Sequence, residues 1–486
     1  MTTTTGAAGA TGAAGGTGAA GGTGAAAGRG APSPAADWLW TELGLTAQVS
    51  ADVPGGGLHA LVGLALRRNP RRAHLLVSRV LGKHLPVAPS TALAVGADLA
   101  GLVRNVPGYP AAGGLVIGYC ETATALGHTV ADSLPGSHYL HTTRRDLAGV
   151  PPVLEFTESH SHASHHWLVP EDPAILATDQ PIVLVDDELS TGRTALGTIR
   201  LLHEHAPRGH YLVAALVDAR PTGARAAFDD LAVELGVRID VVALIAATVT
   251  VPAEIARRAA AIRARHAPET GVDPAGVDPA GVDPAGVGAE EGGLADPAVG
   301  DVRWLSPAWP AGLPDGGRHG WTAGHGRLLA DHLGALATAV RATLSRPGGR
   351  TLVLGTEEFM YVPMRIAAEL AGGGPGEVRY QSTTRSPVHP IDVDGYAIRA
   401  ALSFPAPDDP RRVSHVYNVG PGRYDDIVVV LDSGADTGSP SAVADPSGLV
   451  AQLRRCAPVT VLTIPSYQPA PRPVPRPAAP TTGASR

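Results

Sequence analysis

The chain has 486 residues, enough for two or three domains, and 44% hydrophobic residues supply a sizeable core. A net charge of −7 without a basic block argues against a nucleic-acid groove, and no apolar run is long enough to span a bilayer. Two cysteines far apart, Cys120 and Cys456, exclude a disulfide framework and fit a reducing compartment. The N-terminus lacks the basic start and apolar middle of a signal peptide, so a cytoplasmic location is expected.

Residues 1–36 are Thr/Gly/Ala-rich and are expected to be disordered. Gly16-Thr17-Gly18-Ala19-Ala20-Gly21 fits a dinucleotide fingerprint by spacing only, since no strand precedes it and no helix pattern follows. Residues 37–258 alternate apolar runs with helical stretches. The runs are Leu115–Gly118, His138–His141, Ile182–Val185, Tyr211–Val217 and Val241–Ile245. That alternation predicts an α/β domain with a mainly parallel sheet flanked by helices. Residues 259–300 read as a linker, with three GVDPA copies at 271–285. A second block spans 301–467, and a Pro-rich tail, 468–486, is expected to be unstructured.

Within the first block, Pro181–Thr194 carries the clearest chemistry. An apolar run ends in Asp186 and Asp187; a short loop, Glu188 to Thr194, then opens a helical stretch. Loop and helix N-terminus together aim backbone N–H groups at one point, an anion site. Gly192 permits a left-handed turn, and Ser190, Thr191 and Thr194 add hydroxyls suited to phosphate oxygens. Carboxylates repel phosphate, so Asp186 and Asp187 are expected to face a sugar diol. Phosphate on the loop and ribose on the acids describe a 5-phosphoribosyl group. The alternative is an ordinary βα turn with a capped helix.

This segment resembles the signature with which type I phosphoribosyltransferases bind phosphoribosyl pyrophosphate (PRPP). The resemblance implies that Glu188, Ser190, Thr191, Gly192, Arg193 and Thr194 bind PRPP. It also places Glu121 and Thr122, in Tyr119–Thr124, in the pyrophosphate loop, although Glu121 departs from the usual basic or Gly-rich form. Thr142-Thr143-Arg144-Arg145 follows the next strand, and Arg144 is implied to reach pyrophosphate. Glu155–His166 corresponds to a mobile loop, from which His162 would serve the leaving group. The spacing of its histidines does not fit a compact metal site, so no protein metal cage is expected. Mg²⁺ is expected, held mainly by substrate oxygens. Lys83, His84, Asp218 and Arg220 are candidates for acceptor binding.

The second block echoes the first. Leu115–Glu121 matches Leu352–Glu358, and Tyr139–Arg144 matches Tyr380–Arg385. The strand before the acids matches Ile427–Leu431, which leads to Asp432. A degenerate copy is one reading, and chance similarity between α/β domains the other. In this alignment Ser433 takes the place of Asp187. Thr384-Arg385-Ser386-Pro387 and Gly355–Tyr361 are similar to the TRSP domain that follows an orotate-phosphoribosyltransferase-like family of tellurite-resistance clusters. Glu358, Thr384, Arg385, Asp432 and Thr437 are its candidate site residues. The resemblance implies Mg²⁺-dependent transfer from PRPP to a base-like small-molecule acceptor, by a protein whose relatives commonly form homodimers. A PRPP- or nucleotide-sensing regulator of the same fold, or a hydrolase, is the competing reading.

Overall fold

The computed structural model describes residues 38–54, 56–68, 73–147, 149–157, 165–266, 300–432 and 447–469. Residues 1–37 and 470–486, the GVDPA repeats, His162 and Thr437 lie outside the described residues.

Among the described residues the first half contains ten strands: β1 (Thr46–Asp52), β2 (Val62–Arg67), β3 (His74–Ser78), β4 (Leu115–Gly118), β5 (His138–His141), β6 (Leu154–Thr157), β7 (His165–Leu168), β8 (Ile182–Leu189), β9 (His210–Asp218) and β10 (Arg238–Thr250). Its helices are α1 (Trp38–Leu43), α2 (Leu58–Leu61), α3 (Pro89–Arg104), α4 (Ala123–Asp132), α5 (Arg193–His205), α6 (Thr222–Leu235) and α7 (Ile255–Arg265). The main sheet runs β1-β10-β9-β8-β4-β5, parallel throughout except for the edge strand β1. Ile182–Val185 are fully buried, as expected of a central strand covered on both faces. Helix α5 buries Ala195, Thr198, Ile199 and Leu202, one stripe at helical spacing.

The second half adds β11 (Val302–Leu305), β12 (Arg350–Gly355), β13 (Glu377–Ser382), β14 (Val388–His389), β15 (Ala401–Ala406), β16 (Asp409–Tyr417), β17 (Asp426–Asp432) and β18 (Val459–Ile464). Helices α8 (Ala323–Arg341), α9 (Tyr361–Gly372) and α10 (Leu449–Leu453) accompany them. Its sheet, β11-β18-β17-β12-β13, is wholly parallel.

The order β18-β17-β12-β13 repeats β9-β8-β4-β5, and each half carries an antiparallel hairpin after its edge strand. Register corrects one detail of the sequence alignment. Gly118 pairs with Val185, while Leu354 pairs with Val429, which places Gly355 level with Val430. Asp432 therefore matches Asp187, and Leu431, not an acid, matches Asp186. The acid pair is lost at its first member.

The halves share one core. Helix α4 is buried along Ala123–Ala131, packed against α3 on one side and α9 on the other. His128 stacks between Tyr139 and Tyr361, at 4.4 and 3.5 Å between ring centroids. Strand β14 of the second half pairs antiparallel with β2 of the first. The expected linker also begins later than its composition suggested. Ile255, Ala259 and Ile262 share one helical face of α7, and the last two are buried.

Candidate functional site

A cavity of about 260 Å³ opens at the carboxyl ends of β4 and β8. In parallel sheets such ends gather ligand-binding loops. Lys83, Tyr119, Cys120, Glu121, Thr122, Arg144, Asp186, Asp187, Glu188, Ser190, Thr191, Arg193 and Thr194 line it. Thus the turn after β4, Arg144 beyond β5 and the Asp186–Thr194 segment, all separate in the chain, meet with the distant Lys83 around one space.

The phosphate-type loop follows from local sequence. Gly192 has φ +70° and is the N-cap of α5. A Cβ there would sit 2.5 Å from the Phe228 ring and 3.2 Å from Arg220 Cδ. Only glycine meets both the dihedral and the close approach. Asp186 accepts the Asp187 backbone N–H at 2.9 Å, which tightens the strand end. The Glu188 carboxyl is pushed up to about 7 by burial, reinforced by the Asp187 charge and opposed by Arg67.

The opposite wall is the turn after β4. Thr124 Oγ1 donates to the Glu121 carbonyl at 2.9 Å, closing the turn into α4. Cys120 N donates to Thr142 Oγ1 at 3.0 Å. Arg144 Nε and Nη2 lie 3.2 and 2.9 Å from His166 Nε2. A guanidinium only donates, so His166 Nε2 accepts and its proton resides on Nδ1. Nδ1 faces Thr142 Oγ1 at 3.0 Å and Cys120 Sγ at 3.6 Å. A neutral imidazole thereby braces Arg144. Sequence reasoning chose His162 from the same segment; β7 places His166 here because its side chain alternates inward between exposed His165 and half-buried Trp167.

Other expected residues lie elsewhere. His84 is buried, 5.9 Å from the Tyr417 ring, and does not line the cavity. Burial, with Lys83 and Arg67 nearby, holds it neutral. Asp218 and Arg220 are also absent from the wall. They pair with each other at 2.9 Å, Arg225 adds a contact to Asp218 at 2.6 Å, and Arg220 lies over the Phe228 ring. They support the phosphate-type loop from behind.

The second-half candidates gather at the interface. Glu358 accepts from Thr143 Oγ1 at 2.8 Å and pairs with Arg318 at 2.9 Å. These charges hold its carboxyl far below the usual range despite burial. Asp432 is fully buried and pairs with Arg145 and Arg318. Thr384 and Arg385 reach across to Glu121. Arg145, Arg318, Asp315 and Asp408, which complete this network, were not singled out by sequence. The partners Glu358 and Asp432 are remote in the chain from Arg145 and Arg318, so no local pattern marked these contacts.

Residues 61–248 match the family model described as phosphoribosyl transferase. Residues 315–453 match the model described as the TRSP domain C-terminal to it. The chain carries a phosphoribosyltransferase domain followed by a TRSP domain. The enzyme class of the phosphoribosyltransferase domain is glycosyltransferase. Among solved structures, the chain is similar to adenine phosphoribosyltransferase from Giardia lamblia complexed with 9-deazaadenine. That match has 20% identity, 38% of this chain, 94% of that chain and a TM-score of 0.27. The Trypanosoma brucei adenine enzyme, solved with AMP, pyrophosphate and ribose-5-phosphate, matches at 13%, with 35% and 82% covered and a TM-score of 0.25. Orotate phosphoribosyltransferase from Aeropyrum pernix matches at 21%, with 43% and 90% covered and a TM-score of 0.22. No curated protein matches the chain. No helix among the described residues of the two domains is long and apolar enough to cross a membrane.

Proposed function

We propose that the protein transfers the phosphoribosyl group of PRPP to a heterocyclic base or similar small acceptor. The observation that carries this reading is the convergence of Asp186, Asp187 and the Ser190–Thr194 loop on one cavity, with Arg144 and Lys83 on its other walls. The carboxylates suit the ribose hydroxyls, and the loop with the start of α5 suits the 5-phosphate. Arg144 and Lys83 face the remaining space, where pyrophosphate would lie.

In the transfer, the bond from ribose C1 to pyrophosphate oxygen breaks and a bond from C1 to the acceptor forms. The acceptor gives up a proton if it carries one. Positive charge grows on the ribose and negative charge on the leaving group. Asp186 and Asp187 stabilise the first, and Arg144 and Lys83 the second. Among the described residues no three His, Cys, Asp or Glu side chains form a metal cage. The oxygen-rich donor set fits a Mg²⁺ held mainly by substrate, with Asp187 as the protein's share, supplying charge to the departing pyrophosphate. We place the reaction in cytoplasmic synthesis of a nucleoside-like metabolite linked to tellurite and stress responses, on the family resemblance alone.

Pyrophosphate release across a panel of bases tests this reading. Wild type is expected to release pyrophosphate with at least one acceptor. Asp187→Asn is expected to lose roughly a hundredfold or more while remaining folded. Full activity in that variant would remove the acids from the mechanism.

A further inference from the structure

Glu121 is an unexpected wall for a pyrophosphate site, because a carboxylate there opposes the ligand's charge. Its surroundings resolve the conflict. The side chain is 7% exposed, and Thr384 and Arg385 of the TRSP domain hold it. Thr384 Oγ1 donates at 2.9 Å, the Arg385 backbone N–H approaches at 3.4 Å, and Arg385 Nε lies at 3.2 Å. The same guanidinium reaches Glu357 at 2.6 Å, and Arg412 also holds Glu357 at 2.6 Å.

A mirror contact runs the other way. Glu358 takes Glu121's place in the second half and accepts from Thr143 Oγ1 and, at 3.4 Å, from the Arg144 backbone N–H. Each half thus sends a carboxylate to the other half's strand end. The two sides then differ. In the second half Arg318 and Arg145 close on Glu358 and Asp432, and a void of only about 10 Å³ remains beside Arg318 and Glu358. In the first half the cavity stays open. The segment Thr384–Pro387 is also fixed at its far end. The Ser386 carbonyl accepts from Tyr417 Oη at 2.6 Å, and the Pro387 carbonyl accepts from Arg68 N at 3.3 Å.

We propose that Arg385 of the TRSP domain is a positioning residue for PRPP: it neutralises Glu121 and holds the pyrophosphate loop open, so that the TRSP domain acts as a built-in partner subunit. This rests on the proposed function above. It assigns the Thr384-Arg385-Ser386-Pro387 segment a role in the first domain's chemistry rather than at a second ligand site.

The test is a cycle of full-length variants titrated with PRPP and Mg²⁺ by calorimetry, with folding checked by thermal melting. Arg385→Gln leaves Glu121 unneutralised and is expected to weaken PRPP binding by roughly ten- to a hundredfold. Arg385→Lys keeps the charge and should recover most of that loss. Glu121→Gln/Arg385→Gln removes both charges and should recover a measurable part of the affinity lost in Arg385→Gln. A merely structural Arg385 would not be rescued by deleting the carboxylate. If Arg385→Gln fails to fold, the double variant still decides, since a folded double variant without PRPP binding overturns the proposal. Wild-type-like binding by folded Arg385→Gln also overturns it, while leaving the PRPP reading intact. Absence of PRPP binding in wild type overturns both.

Discussion

Beside Asp187, the carboxyl of Glu188 is shifted by its burial. Asp186 and Asp187 sit half-buried at the strand end, while the Glu188 carboxyl is raised to about 7. Near neutrality Glu188 is partly protonated and adds little repulsion to a phosphate ligand. As pH rises through about 7 it ionises, so PRPP affinity should fall on the alkaline side. Glu188→Gln should flatten that limb in titrations between pH 6 and pH 8, roughly one unit either side of the shifted value. The stability sign agrees. A carboxyl whose folded pKa is raised contributes stability present below its unfolded value, about 4.3, and lost as pH rises through about 7. Gly192→Ala should lower the melting midpoint by an amount corresponding to about 1–3 kcal/mol, because φ +70° and the Phe228 ring both oppose a Cβ. These residues were legible in sequence because strand, acids and loop are contiguous. His84 and Arg220 were misread for the opposite reason. Their burial depends on Tyr417 and Phe228, which no local pattern connects to them.

Between elements, a phenol bridges the antiparallel contact of β2 with β14. Tyr396 Oη donates to the His389 carbonyl at 2.7 Å and accepts Leu66 N–H at 2.8 Å. Tyr396→Phe leaves a buried N–H and a carbonyl without this partner, and should cost about 1–3 kcal/mol by denaturant unfolding. A cost near zero would show that the crossing sheet contributes little. Strand β8 and helix α5 could be read from apolar runs and spacing, as could the echo of β4 and β5 in β12 and β13. The crossing could not. Val388-His389 is too short for a strand signal, and its pairing is set by a partner more than three hundred residues away.

At the scale of the whole molecule, the two halves form one compact unit. His128 lies between Tyr139 and Tyr361, and Tyr139 and Trp321 bond each other's backbone at 2.8 Å in both directions. Arg145 with Asp432 joins the halves through a buried ion pair, where removing one partner typically costs about 3–5 kcal/mol. Full-length protein should therefore melt in one calorimetric transition, and a chain truncated after His266 should expose this apolar face and aggregate. Two separated transitions would show independent domains. The repeated strand order makes the second half resemble a partner subunit joined in tandem, with its own strand-end site filled by Arg145 and Arg318.

The central claim is that the cavity at the ends of β4 and β8 binds PRPP through Asp186, Asp187 and the loop to Thr194. Calorimetric titration of PRPP with Mg²⁺ into wild type, beside Asp186→Asn/Asp187→Asn, tests it most directly. The account predicts saturable binding in wild type that is lost in the folded double variant. Absence of binding in folded wild type, or equal binding in both, would contradict it.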